Sequence, residues 1–262
     1  MRDGVLPRLI GKWLQAGVME DGTVTYPEAG SPQGGVISPV LSNVFLHYVL
    51  DEWFEQVVKP RLRGRAYLIR YADDFVIGFT EEGDARRVMA VLPRRFGKYG
   101  LTLHPDKTKL VPFTQPSVQA SGKGSGTAPG PGTFTLLGFT HYWGRSVKGN
   151  WVVKRKTASN RLSRALRSIA WWCRLNRHQP LGEQQRTLSQ KLRGHFAYYG
   201  ITGNSTALSM FRTAVVRCWR YWLSRRNRQR SLDWDHFKRL LERYPLPLTK
   251  VVHWVHARAA SP

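Results

Sequence analysis

The sequence predicts an α+β chain in which strands and helices interleave first and helices follow alone. Three observations carry this prediction. Apolar runs rich in aromatic and β-branched residues, Ala66–Arg70 and Phe75–Phe79, flank Tyr71-Ala72-Asp73-Asp74 as the two arms of an antiparallel hairpin. Apolar residues at helical spacing stand on either side of it, around 46–57 and 88–96. Beyond residue 157 the periodicity is helical throughout. Residues 1–150 therefore read as a mixed domain, 151–240 as a helical one and 241–262 as a tail.

Residues 8–17 are a short helix candidate, and the stretch that follows, through Pro32, is rich in Gly and Pro. Ser38-Pro39 suits a helix start, with Ser as N-cap and Pro in the first turn. Leu46, Leu50, Trp53 and Val57 then recur until Lys59-Pro60 stops the run. After the hairpin comes a helix with Val88, Leu92 and Phe96 on one face, which Pro93 is expected to kink or shorten. Leu101 and Leu103 alternate in a short strand. Residues 114–132, rich in Gly, Ser, Pro and Ala, read as a flexible loop. Strands resume at Phe134–Tyr142 and Trp151–Lys156, joined by a turn at Lys148-Gly149-Asn150. Three apolar stripes close the pattern: Leu162, Leu166, Ile169, Cys173; Leu188, Leu192, Phe196; and Leu208, Phe211, Val215, Trp219, Trp222. They fit a small helical bundle.

Charge points to an anionic partner. The 262 residues carry a formal charge of +24. From residue 151 onward 23 Lys/Arg face 4 Asp/Glu, a balance of +19, and 7 of the 10 Trp lie there as well. Basic residues among aromatics suit phosphate neutralisation with base stacking. Cys173 and Cys218 lie within helical patterns, without the spacing of a zinc site or a disulfide framework, and read as reduced core thiols of a cytosolic protein. No secretory signal opens the chain, and no run approaches the ~20 apolar residues of a membrane span. The expected setting is cytoplasmic, of bacterial type, with no membrane partner.

Two constellations carry chemistry. A tight hairpin turn favours Asn-Gly or Asp-Gly, and Asp73-Asp74 meets that demand poorly while adding like-charge repulsion. What the pair supplies is hard oxygen ligands on a rigid support, as magnesium requires; solvated turn acids are the competing reading. The second constellation is Gly30-Ser31-Pro32-Gln33-Gly34-Gly35-Val36-Ile37-Ser38-Pro39, where small residues admit a ligand close to the backbone just before a helix N-terminus. A Gly/Pro turn capping the helix is the alternative.

In this order, followed by Gly100-Leu101-Thr102-Leu103-His104-Pro105-Asp106-Lys107-Thr108, Leu136-Leu137-Gly138-Phe139 and Arg193-Gly194-His195-Phe196-Ala197-Tyr198-Tyr199, the motifs resemble the group II intron-encoded reverse transcriptase/maturases. The resemblance covers nearly the whole chain. It implies a right-hand polymerase palm, an antiparallel sheet with packed helices, followed by an all-helical thumb/maturase domain that grips intron RNA. It implies two Mg²⁺ ions serving nucleotide transfer to a primer on an RNA template, with Asp73 the principal ligand and Asp74 assisting. Ala72 would lie near the primer end, and Pro32, Gln33 and Gly34 beneath the nucleotide. Lys107 stands at a matching basic position facing phosphates, a solvated lysine being the alternative. Arg161, Arg164, Arg167, Arg174 and Arg193, with Arg225, Arg226, Arg228 and Arg230, are the candidate RNA contacts.

One departure matters. The family's palm carries a third metal-binding Asp in an earlier strand, with fingers before it; only about 30 residues precede the Pro-Gln-Gly segment here, and Asp3 has no strand-like flank. No HNH-type endonuclease signature follows residue 240. The expectation is an N-terminally incomplete member that does not extend a primer alone. A non-catalytic RNA-binding splicing cofactor and a decayed fragment are the alternatives.

Overall fold

The computed structural model describes residues 4–14, 18–20, 23–25, 37–116, 132–226 and 232–254. The chain divides into two units, Met1–Leu110 and Val111–Pro262.

In the first unit, α1 (Val5–Leu14) begins earlier than the expected 8–17, whose last three residues lie outside the described ones. Pro7 is tolerated in its first turn, where a backbone N–H has no helical partner. A short hairpin follows, β1 (Val18–Glu20) against β2 (Thr23–Thr25). Alternation does not predict it, although Asp21-Gly22 between the two runs is a strong hairpin dipeptide. Helix α2 (Ser38–Leu46) has Ile37 at its N-cap, one residue before the expected Ser38. It winds on in π form over His47–Glu52 and Phe54–Val58, and Lys59–Arg61 end it in a 3₁₀ turn. Because π bonds run i→i+5, the inward position drifts later with each turn. Leu50, Phe54 and Val58 are therefore buried, whereas the expected Val57 is exposed.

Strands β3 (Ala66–Tyr71) and β4 (Asp74–Phe79) form the expected antiparallel hairpin. Helix α3 (Glu82–Gly97) buries Val88, Leu92 and Phe96 as its spacing requires, and continues past Pro93 rather than ending there. Ala66, Leu68, Phe75, Ile77 and Phe79 meet this face together with Leu50, Phe54 and Val58, so both helical segments pack against one side of the hairpin. The Arg95 guanidinium of α3 donates to the carbonyls of Val49 (3.0 Å) and Tyr48 (3.2 Å), fastening α3 to the π segment. Leu101 and Leu103 pack on this core, but no strand pairs with them and the expected strand is absent.

In the second unit, β5 (Phe134–Leu136), β6 (Phe139–Arg145) and β7 (Trp151–Thr157) make an antiparallel meander. The expected single strand 134–142 is split by a turn at Leu137-Gly138, whose φ values of 51° and 76° no strand can hold. The flexible loop expected at 114–132 lies outside the described residues except at its ends.

Helices α4 (Ser159–Leu175), α5 (Leu181–Tyr199) and α6 (Ser205–Ser224) carry the three predicted stripes, and α7 (Trp234–Arg243) adds a fourth element that continues beyond residue 240. Ile169, Leu188, Leu192, Phe196, Leu208, Phe211, Val215 and Trp219 form the core, with Phe237 of α7 and Leu246 of the expected tail buried among them. Thr157, Gln184, Ser189 and Asn204 are the buried polar residues of this unit among those described. Gln184 donates to the carbonyls of Arg177 (3.1 Å) and Gln179 (2.8 Å) and accepts from Trp219 Nε1 at 2.9 Å. Asn204 holds the N–H and hydroxyl of Thr157 at 3.0 and 2.9 Å. Both cysteines are free, as expected, Cys173 buried in α4 and Cys218 half-buried in α6. No helix of the described residues is long and apolar enough to cross a membrane.

Candidate functional site

Ala72 and Asp73 are the two central residues of the β3–β4 turn, because Tyr71 pairs directly with Asp74. Ala72 has φ +52°, the left-handed region that normally selects Gly. A non-Gly residue held there stores about 1–3 kcal/mol, and such residues cluster at functional sites. Asp73 thus belongs to the turn and Asp74 to the first strand position, so the two carboxylates are inequivalent, as alternation along a strand requires. Both are exposed, and neither has an ion-pair partner among the described residues.

One side chain braces this turn. Arg70 occupies an inward position of β3, following Ala66 and Leu68, yet it is an arginine. Its Nε and Nη2 grip both oxygens of Asp51 at 2.7 and 2.6 Å, a bidentate fork onto the π segment. Its Nη1 donates to Asn43 Oδ1 of α2 and to the Ala72 carbonyl, both at 2.9 Å. His47 Nδ1 lies 3.4 Å from the same Asp51 carboxylate.

The hydrogen bond from Arg70 holds the Asp51 carboxyl below the usual carboxylate range, against the opposing effect of burial. The Arg70 guanidinium is raised in turn. In the first turn of α3, the backbone N–H of Gly64 and then the Arg87 side chain lower Asp84 likewise. Both acids have folded pKa values below their unfolded ones. Their stabilisation is complete above the unfolded value of about 3.9 and is lost as pH falls through the folded values. Urea midpoints of the chain should therefore drop between about pH 5 and pH 2, and Asp84→Asn should flatten that drop.

Of the other predicted residues, Pro32, Gln33, Gly34, Arg228 and Arg230 lie outside the described residues. Lys107 is exposed in a turn closed by the His104 carbonyl. Arg161, Arg164, Arg167 and Arg174 are exposed on α4, Arg193 on α5, and Arg225 at the end of α6. Two of them lie over exposed aromatic rings, Arg174 over Trp171 (5.6 Å) and Arg225 over Tyr221 (4.2 Å). Arg226 differs: its guanidinium donates to the carbonyls of Arg177 and Gln179, the same pair that Gln184 holds.

Two of the sequence motifs touch within the second unit. Tyr198 donates from its hydroxyl to the Leu137 carbonyl at 3.0 Å and stacks on Phe139 at 6.0 Å. A Cβ at Gly138 would come within 2.9 Å of the Tyr199 hydroxyl. His195, beside them, stacks on Phe211 at 3.8 Å, and burial pushes its pKa down to about 4.

Asp51 and Asn43 are the residues that sequence reasoning misses. The available signal is an arginine where the β3 alternation calls for an apolar residue, since a buried guanidinium demands a carboxylate.

Magnesium is commonly held by one or two carboxylates together with substrate phosphates, and Asp73 and Asp74 offer hard oxygens without an ion-pair partner among the described residues. Among the described residues no group of three or more His, Cys, Asp or Glu side chains could hold a metal.

Residues 4–141 match the family model described as reverse transcriptase (RNA-dependent DNA polymerase). A Saccharomyces cerevisiae protein named for COX1/OXI3 intron 1 is 22% identical over 264 residues, covering 75% of this chain and 31% of its own length. A 91 kDa Schizosaccharomyces pombe protein in the cob intron is 23% identical over 163 residues, covering 42% of this chain and 20% of its own length. The group II intron-encoded protein LtrA of Lactococcus lactis subsp. cremoris is 40% identical over 57 residues, 22% of this chain and 9% of the relative. The matched stretches thus span less than a third of each relative. With more than half of its residues under the family model, the chain belongs to the reverse transcriptase (RNA-dependent DNA polymerase) family.

Proposed function

We propose that the chain works within a group II intron reverse transcriptase/maturase, its first unit contributing the palm's metal-bearing turn and its second unit, as thumb, gripping intron RNA. The observation that carries this reading is the exposed Asp73-Asp74 pair on a hairpin turn, without an ion-pair partner among the described residues and braced through the Ala72 carbonyl. Asp73 and Asp74 would hold Mg²⁺. When bound, it neutralises nucleotide phosphates and activates a primer hydroxyl. The remaining work falls to the protein: the brace holds the acids in place, and exposed arginines and aromatics of α4–α6 hold phosphates and stack on bases.

The test compares wild type with Asp73→Asn in two assays. Affinity for folded group II intron RNA should exceed that for duplex DNA and stay within about twofold in the variant, because an aspartate carboxylate neutralises no phosphate. Any Mg²⁺-dependent primer extension should vanish in the variant. Equal affinity for duplex DNA, or extension that survives Asp73→Asn, would sink the reading. A second reading is RNA binding without polymerisation, favoured because no third ligating side chain joins the turn among the described residues. Its expected result is RNA binding without extension by the wild-type chain.

A further inference from the structure

The two non-Gly residues with positive φ among the described residues are Ala72 and Leu137, and only the first adjoins a pair of exposed acids. A turn of this shape built from Ala would relax unless a contact anchored outside the hairpin held it. The holding group is a guanidinium with every nitrogen engaged: two on Asp51, the third shared by Asn43 and Ala72. Asp51 lies in the π segment, where each turn shifts the inward position, and π segments recur at functional sites. A partly buried ion pair of this kind contributes little net stability compared with apolar packing. Its geometry, a fork on one side and a carbonyl on the other, is suited to fixing an orientation.

We propose that Arg70 and Asp51 are positioning residues for the metal-binding turn: the fork on Asp51 aims the Arg70 Nη1 at the Ala72 carbonyl, and this sets where the Asp73 carboxylate stands. Asn43 fixes the same nitrogen from the other side. The proposal rests on the reading of Asp73 and Asp74 as magnesium ligands, and it assigns that site a supporting shell drawn from α2 and the π segment. Supporting partners of metal ligands typically contribute about 10–100-fold in metal affinity.

The test uses the whole chain and Mn²⁺ as the probe, reading free ion by electron paramagnetic resonance in the absence of nucleotide and primer. The variant Asp51→Leu/Arg70→Leu removes the pair without leaving an orphaned charge, so its fold should persist. Arg70→Lys supplies the alternative if it does not, since one ammonium can keep the charge beside Asp51 but cannot also serve Ala72 and Asn43. Either variant, folded by circular dichroism, should bind Mn²⁺ about 10–100-fold more weakly, with faster amide exchange at Asp73–Phe75. A folded variant with wild-type Mn²⁺ affinity would overturn the positioning role and leave the metal reading standing. A wild type whose Mn²⁺ binding is unchanged by Asp73→Asn would overturn both.

Discussion

Raising salt from about 50 to 200 mM is expected to weaken RNA binding by this chain roughly 10³–10⁵-fold, if 6–10 basic residues contact phosphate. Six of the candidate arginines, Arg161, Arg164, Arg167, Arg174, Arg193 and Arg225, are exposed, and the balance from residue 151 onward is +19. Each phosphate contact contributes about 0.7 to the slope of log affinity against log salt on single strands and about 0.9 on duplexes. Single Arg→Ala changes at these positions should therefore each lower the slope by roughly that much. Trp171→Ala and Tyr221→Ala make the control, because the rings that Arg174 and Arg225 cover are exposed but uncharged. Where such a ring stacks on a base, its loss should cost about 1–3 kcal/mol at every salt concentration and leave the slope unchanged. A flat slope for the wild-type chain would remove phosphate recognition from its function. Arg226→Ala should behave differently again, since its guanidinium is already committed to the Arg177 and Gln179 carbonyls and its loss acts on the α4–α5 turn.

The second large effect is on stability. Trp219 is fully buried, meets Phe237 edge-on at 5.8 Å and donates to Gln184. Trp219→Ala should cost about 3–5 kcal/mol through the cavity, with a further contribution of about 1–3 kcal/mol from the unpaired Gln184 oxygen. Against a typical stability of roughly 5–15 kcal/mol, that is a large part of what holds a domain together. Urea unfolding followed by far-ultraviolet circular dichroism reads the change. Trp219→Phe removes less volume yet still orphans Gln184, so a loss under about 1 kcal/mol there would show that the hydrogen bond contributes nothing.

What was legible in the sequence was periodicity and local turn chemistry. The hairpin around Ala72-Asp73, the inward face of α3 and the three helical stripes follow from residue spacing alone, because side chains repeat every two or 3.6 positions whatever they touch. The polar supports were not legible. Gln184 stands four residues before Leu188 on its stripe, where an apolar residue is expected, and its partner Trp219 lies 35 residues away. Arg70 breaks the alternation of β3 in the same manner, with Asp51 19 residues upstream. In both cases the anomaly is visible in the sequence, but the group that resolves it is brought near only by the fold. The π winding is a third kind of miss: it displaces the buried set from Val57 to Val58 without any Gly or Pro to mark the shift. The Leu137-Gly138 turn escaped because the residues on both sides of it suit strands equally well.

The two left-handed turns differ in when a growing chain can secure them. Arg70 finds Asn43 and Asp51 upstream, so by the time Ala72 leaves the ribosome every group of its brace has already been made. The Leu137 carbonyl waits for a hydroxyl 61 residues downstream, an interval of roughly 3–12 s at ordinary rates of synthesis. During synthesis the first turn can close at once, while the second stays open to competing pairings until α5 has emerged.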